Sequence, residues 1–338
     1  MRTRQLGSSE LVVSEVGFGA WTLASKWWGE VDDPAALVAA ALDAGITFFD
    51  TAPVYGDDGA GETILAGALG NHIEEIVLTT KCGYDIGAER VGGGHNERPH
   101  DWTPRGVRTQ LEDSLRRLGR DRIDLYQLHN TTMDPILADD LWAELEVLRG
   151  EGKIRELGVA LGPAIGWKDE GVYALDHRPV VSVQSVFNIL EQEPGRTFLE
   201  HPTVQGGRAS VIARVPHASD VLSGKVTRDT VFAADDHRAF RNRDMLLDLC
   251  DKVERVHYLH DGDTGRTIGQ AAIAGILSFP GIATVLPTCT TAEQVREYAA
   301  ASDMPLDDHE RARLADEWSR NFGVVDRYTA PQRSSATA

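Results

Sequence analysis

Four apolar runs in this 338-residue chain stop on a side chain that can do chemistry. Ile46-Thr-Phe-Phe-Asp50 ends on a carboxylate, Ile76-Val-Leu-Thr-Thr-Lys81 on an ammonium, Ile123-Asp-Leu-Tyr-Gln-Leu-His129 on an imidazole and Val180-Val-Ser-Val-Gln184 on an amide. Around one bound molecule, such groups would hold a polar substrate and exchange protons with it. Singly, each has an ordinary structural explanation: Asp50 as a turn or helix cap, Lys81 as its surface partner, His129 as a satisfied interior histidine. Only a fold that brings the run ends together gives them a shared purpose.

Short β-branched or apolar runs alternate with amphipathic helical windows along the chain, the pattern of a parallel sheet built from βα units. Eight such runs are found: Glu15–Gly19, Ile46–Asp50, Ile76–Lys81, Ile123–His129, Ile154–Ala160, Val180–Gln184, Ala209–Arg214 and Ile282–Pro287. They predict an α/β fold, a (β/α)8 TIM barrel forming a single domain over residues 1–328, with a doubly wound sheet as the rival and residues 329–338 as a disordered tail. In such a barrel the C-terminal strand ends face the site, and those are the ends that carry Asp50, Lys81, His129 and Gln184. Asp33-Pro34 and Thr103-Pro104 read as helix starts, and Val107, Leu111, Leu115 and Leu118 fall on one apolar face. Arg105, Arg108, Arg116 and Arg117 on the same helix are expected on a solvated outer face. The connection from Val215 to about Tyr258 exceeds a simple βα loop and reads as a lid or binding loop.

Lys and Arg total 34 against 52 Asp and Glu, a net charge of −18 that repels nucleic-acid phosphates and anionic membrane surfaces. Nucleic acid and membrane are therefore not expected partners. Cys82, Cys250 and Cys289 form no CxxC pair, which argues against a disulfide framework or a metal site and suits a cytoplasmic location. No signal-peptide pattern and no apolar run of membrane-spanning length is found.

The segment Asp50-Thr-Ala-Pro-Val-Tyr55-Gly56, followed by Gly61-Glu62, closely resembles the signature of the aldo-keto reductases. Thr80-Lys81, Ser114-Leu-Arg-Arg-Leu-Gly119, Asp124-Leu-Tyr-Gln-Leu-His129, Gly152-Lys-Ile-Arg-Glu-Leu-Gly158 and Leu222-Ser-Gly-Lys225 follow in family order, so the resemblance runs from Gln5 to about Ala300. No GxGxxG, P-loop, GxSxG or HExxH motif competes with it. The resemblance implies hydride transfer between a nicotinamide cofactor and the carbonyl or alcohol of a small aldehyde, ketone or sugar. It makes Tyr55, Asp50, Lys81 and His129 the catalytic set. Reduction builds negative charge on the carbonyl oxygen, and Tyr55 would supply the proton there. Phenols are reluctant acids at neutral pH, and the Lys81 ammonium would lower the Tyr55 pKa. Asp50 would hold Lys81, and His129 would orient the carbonyl or assist the proton transfer.

The resemblance also assigns cofactor contacts, and here the chain departs from the family. Gln184 matches the glutamine expected on the nicotinamide carboxamide, but Ala160-Leu161 stands where a Ser-Asn pair is usual, a loss of about 1 kcal/mol for each neutral hydrogen bond. Arg214 replaces a ring-stacking tyrosine at the end of the seventh strand. Arg214-Val-Pro216 with Asp235-Asp-His-Arg238 resembles one bacterial branch of the family, which places Arg214 and Pro216 beside the cofactor. Leu286-Pro-Thr-Cys-Thr-Thr-Ala-Glu-Gln294 corresponds to the segment binding the adenosine 2′-phosphate, with Thr288, Thr290 and Gln294 where basic residues are common and Arg296 its only cation. Thr291 and Gln294 equally suit a capping box that does nothing but start a helix. The resemblance implies NADP(H), while the missing cations admit NAD(H), because a charged hydrogen bond contributes about 1.5–3 kcal/mol.

Two other functions fit the departures: non-redox lyase, dehydratase or isomerase chemistry on the same barrel, and a non-catalytic nucleotide-sensing subunit. Trp21, Trp27, Trp28 and Trp102 follow the first and third strands and would line the mouth or simply pack. His217 and Asp235 to Arg238 are further candidates for phosphate or substrate contact.

Overall fold

The computed structural model describes residues 1–25, 29–90, 98–162, 167–233, 236–260 and 264–328. Trp27, Trp28, Asp235 and the 329–338 tail lie outside the described residues.

An antiparallel hairpin opens the chain, β1 (Thr3–Gln5) with β2 (Val12–Ser14). Eight parallel strands follow in sequence order: β3 (Phe18–Gly19), β4 (Phe48–Asp50), β5 (Val77–Cys82), β6 (Ile123–His129), β7 (Ile154–Ala160), β8 (Val180–Val186), β9 (Ser210–Arg214) and β10 (Ile282–Leu286). Each pairs with the next. The ends meet where Val16 bridges Val285 and the Gly17 N–H donates to the Val285 carbonyl at 2.9 Å, so the sheet closes as the expected barrel. Strands covered on both faces need continuous apolar runs, and all seven residues of β6 are buried.

The amino-terminal hairpin is absent from the eight-run reading because its three-residue strands carry no measurable period. It closes the barrel floor: Leu6, Leu11 and Val13 pack with Phe48, Leu125, Val181 and Ile212 in one buried cluster. At its turn Gly7 takes φ +55°, and a Cβ there would lie 2.7 Å from the carbonyl oxygens of Val181 and Arg208.

Helices between the strands start as their residues dictate. The Asp33 side chain accepts from Ala36 N and the Thr103 side chain from Gly106 N, each with a proline in the first turn. On the helix Pro104–Leu118, Val107, Leu111, Ser114 and Leu118 are buried. One expectation for this helix fails: Arg117 does not lie on a solvated face. Its Nε donates at 2.6 Å to Glu62, which is fully buried and also accepts from Thr80 Oγ1 at 2.5 Å. A buried carboxylate needs such a partner, and a sequence pattern does not show which arginine supplies it. The long connection after β9 is likewise not all loop, since residues Arg243–Glu254 form a helix capped by Asn242.

Candidate active site

Strand order places the ends of β4, β5 and β6 side by side at one barrel mouth with Gln184 on β8 beyond β7, and Tyr55 joins them from the loop after β4. The Gly61 N–H donates to the Tyr55 carbonyl at 2.8 Å, and a Cβ at Gly61 would meet the Tyr55 Cβ at 2.8 Å. Only glycine lets this loop fold back so closely. Lys81 Nζ, completely shielded from solvent, donates to Asp50 Oδ1 at 2.6 Å, to the Thr51 carbonyl at 2.8 Å and to the Tyr55 hydroxyl at 3.2 Å. The His129 ring meets the Tyr55 ring edge-on with centroids 5.8 Å apart. Asp50 Oδ2 accepts from Gln184 Nε2 at 2.9 Å and from Gln127 Nε2 at 3.3 Å.

Gln127 is a member of this network that the sequence reading missed. Its signal was present: an amide between Tyr126 and Leu128, two positions before His129, on a strand buried throughout. The family resemblance gives Gln184 a cofactor amide as its partner, whereas here its nitrogen donates to Asp50.

The electrostatics follow from burial and from the two cations. Burial pushes the Tyr55 phenol above its ordinary pKa, and the Lys81 ammonium, which acts in the opposite sense, does not overcome it. The expectation that Lys81 lowers the Tyr55 pKa thus holds for its own contribution and not for the net shift. Burial also works against the Lys81 charge, but Asp50 and Tyr55 outweigh it and hold that ammonium above the usual lysine range. Burial, then Lys81 and Arg214, drives His129 well below its ordinary value, so the imidazole is neutral. A protonated phenol beside a fixed ammonium and a neutral imidazole is an arrangement for giving a proton to a developing alkoxide.

Arg214 reaches across the mouth from the end of β9. Its Nη2 donates to the carbonyls of Leu161 and Gly162, just beyond β7, while its Nε is buried without a partner. Farther along the same rim, Thr288, Thr290 and Gln294 line a cavity of about 350 Å³ together with Asp220, Lys225 and Arg238. Gln294 caps the helix Ala292–Ala300, its Oε1 accepting from Thr290 N at 2.9 Å, so the capping role is realised. Arg296 is exposed and is not among the residues lining the cavity. Pro216 is buried beside Arg214. His217 turns towards Gly269 and Tyr298, its Nε2 3.3 Å from the Gly269 carbonyl. Trp102 stacks on His100, and Trp21 lies part-buried in the turn after β3.

This rim fits a nicotinamide nucleotide: an unpartnered buried guanidinium nitrogen stands beside Tyr55 and His129, and a polar cavity with threonine hydroxyls lies beyond it. The profile of the Aldo/keto reductase family matches residues 15–318. The chain belongs to the aldo/keto reductase family. This aldo/keto reductase is 30% identical over 321 residues to the NADH-specific methylglyoxal reductase of Escherichia coli, covering 91% of this chain and 95% of that protein. It also resembles the solved glycerol dehydrogenase of Gluconobacter oxydans, with TM-score 0.79, 28% identity and 99% of both chains covered. An aldo-keto reductase of Bacillus halodurans, in its holo form, matches with TM-score 0.73 and 28% identity over 94% of this chain and 96% of that one. This aldo/keto reductase is an oxidoreductase that interconverts carbonyls and alcohols with a nicotinamide cofactor. Among the described residues no helix is long and apolar enough to cross a membrane.

Proposed function

We propose that this enzyme reduces small carbonyl compounds with Tyr55 as the proton donor. The observation that carries this reading is the Lys81 ammonium, fixed by Asp50 at 2.6 Å and donating to the Tyr55 hydroxyl at 3.2 Å. As the carbonyl oxygen gains charge, Tyr55 gives its proton and Lys81 stabilises the phenolate left behind. His129, being neutral, donates a hydrogen bond to the substrate carbonyl oxygen through its N–H without competing as the acid. The bound nicotinamide supplies the hydride. Gln184, Arg214, Pro216, Thr288, Thr290 and Gln294 are the residues proposed to hold the nucleotide, Arg296 being less well placed because it lies outside the cavity lining. Residues 1–328 act as one catalytic unit, and the free, buried Cys82, Cys250 and Cys289 suit a cytoplasmic setting.

For the nucleotide, the rim supports a weak preference between NADPH and NADH. Arg238, the guanidinium of the cavity, is held by Asp220 at 2.7 Å and by Asp236 at 2.7 Å, and Thr288 and Thr290 stand where cations are usual. A 2′-phosphate approaching Arg238 would meet the carboxylates of Asp220 and Asp236 beside it. The relatives direct the choice of substrate: one is a methylglyoxal reductase, another a glycerol dehydrogenase. Three-carbon carbonyls are the first compounds to assay. Tyr55→Phe should lower turnover with methylglyoxal about 10²-fold or more while leaving the nucleotide dissociation constant within about twofold, since the hydroxyl acts on the substrate oxygen. Near-normal turnover in that variant would remove Tyr55 as the acid.

A further inference from the structure

The segment between β5 and the helix Pro104–Leu118 is tied to the loop that carries Tyr55. Asp57, two residues beyond Tyr55, accepts through Oδ1 from Arg90 Nη2 at 3.1 Å and from Arg98 Nη2 at 3.0 Å. The carboxylate is 76% exposed, while the Arg98 side chain is only 11% exposed. Within the segment the Asp85 N–H donates to the Pro99 carbonyl at 2.8 Å and the Asp101 N–H to the Gly83 carbonyl at 2.7 Å, so its two arms run antiparallel at Tyr84 and His100.

Rings stack in series on those arms. Trp102 stacks on His100 with centroids 5.2 Å apart, and His100 on Tyr84 at 4.2 Å. Tyr84 meets His129 edge-on at 5.2 Å, and His129 in turn meets Tyr55. Gly83 makes the series possible: its φ is +122°, and a Cβ there would fall 2.1 Å from the Trp102 ring. Asn130 Nδ2 donates to the Tyr84 hydroxyl at 2.9 Å and sets the orientation of that ring. Chain connections from Tyr55 to Asp57 and from Arg98 to His100, with the contacts Asp57–Arg98, His100–Tyr84, Tyr84–His129 and His129–Tyr55, therefore close a circuit.

We infer that Asp57 is a positioning residue for the reaction: by gripping Arg90 and Arg98 it holds the ring stack, and through Tyr84 it fixes His129 over the space where a substrate carbonyl meets the Tyr55 hydroxyl. The inference rests on the reading of Tyr55 and His129 given above. Edge-to-face contacts fix ring planes only while the rings stay in register, and the arms carrying Tyr84 and His100 are tied to the Tyr55 loop through Asp57. An ion pair this exposed is screened by salt, the Debye length falling from about 30 Å at 0.01 M to about 3 Å at 1 M. Substrate capture should therefore depend on ionic strength even for an uncharged substrate, on which salt cannot act by steering.

The test compares the full-length enzyme with Asp57→Asn and Asp57→Glu, using methylglyoxal as the probe in low and high sodium chloride. For the parent, KM should rise about threefold from low to high salt, with kcat and the nucleotide dissociation constant moving less than about twofold. Asp57→Asn should show the raised KM already at low salt and no further rise, and Asp57→Glu should restore the salt dependence. Trypsin adds a readout that is independent of catalysis: cleavage after Arg90, followed by intact mass, should be several-fold faster in Asp57→Asn. Equal salt dependence of KM in Asp57→Asn and parent overturns the inference, and so does faster cleavage with an unmoved KM, which would make the clamp purely structural. Failure of the Tyr55 assignment would instead appear as turnover retained in Tyr55→Phe, whatever Asp57→Asn does.

Discussion

Arg214, at the end of β9, donates through Nη2 to the carbonyl oxygen of Leu161, which follows β7 on the far side of β8. The barrel mouth is thus braced by a guanidinium at the place where Ala160 and Leu161 offer no polar side chain. Burial, partly offset by Tyr55 and Asp50, holds the Arg214 pKa below its ordinary value, and an arginine so placed still carries its charge. That charge and the unpartnered buried Nε are the groups proposed to meet the nucleotide.

Arg214→Ala should accordingly weaken NADH and NADPH binding alike, by at least about tenfold, the value of one charged hydrogen bond. Fluorescence titration of the purified variant decides it. Arg214→Lys should recover little, because a lysine has one nitrogen, and with that nitrogen held by the Leu161 and Gly162 carbonyls nothing replaces the unpartnered Nε. Unchanged dissociation constants in Arg214→Ala would make the arginine a brace only.

The raised Tyr55 pKa fixes how reduction and oxidation should respond to pH. Burial keeps the phenol protonated through neutral pH, so carbonyl reduction should be flat from about pH 6 to about pH 9 and fall only as the phenol ionises. Alcohol oxidation needs the phenolate and should climb over the same range. His129 is already neutral and should add no limb near its ordinary pKa. Measuring kcat against pH in both directions tests all three statements, and an oxidation rate that is level across neutral pH would contradict the first two.

Lys81 and Asp50 form a buried ion pair that also satisfies the Thr51 carbonyl and two amides. Lys81→Met leaves the carboxylate buried and uncompensated, a loss of about 3–5 kcal/mol that should appear as a clear drop in Tm. Asp50→Asn combined with Lys81→Met should regain part of that stability while remaining inactive. In Lys81→Met any residual oxidation should require a still higher pH, since the group that lowers the phenol pKa is gone. A residual profile superimposable on the parent's would show that Lys81 does not act through Tyr55.

Thr290→Lys tests the nucleotide rim. With Arg238 committed to Asp220 and Asp236, the parent should bind NADPH and NADH within about tenfold of each other, where two intact charged contacts would give about 3–6 kcal/mol. The variant should shift towards NADPH by about one charged hydrogen bond, and the gain should shrink as salt rises. A parent preference for NADPH above a hundredfold would show that Lys225, which lines the same cavity, supplies the charge.

The amino-acid sequence by itself determined the barrel and its working end. Eight apolar runs at βα spacing admit few arrangements, and in a closed barrel parallel strands joined by helices bring their C-terminal ends to one face, where Asp50, Lys81, His129 and Gln184 meet. Local rules likewise determined the caps at Asp33, Thr103 and Thr291, because a cap is made between residues two or three apart. What only the tertiary structure decided are the relations between residues far apart in the chain. Whether burial or Lys81 governs the Tyr55 pKa is a balance of distances and desolvation that no motif encodes. The turn of Arg117 inward to Glu62, the reach of Arg214 to Leu161 and the grip of Arg90 and Arg98 on Asp57 each join a flexible cation to one of many carboxylates or carbonyls. Composition and period leave that choice open, and the packed geometry around each pair makes it.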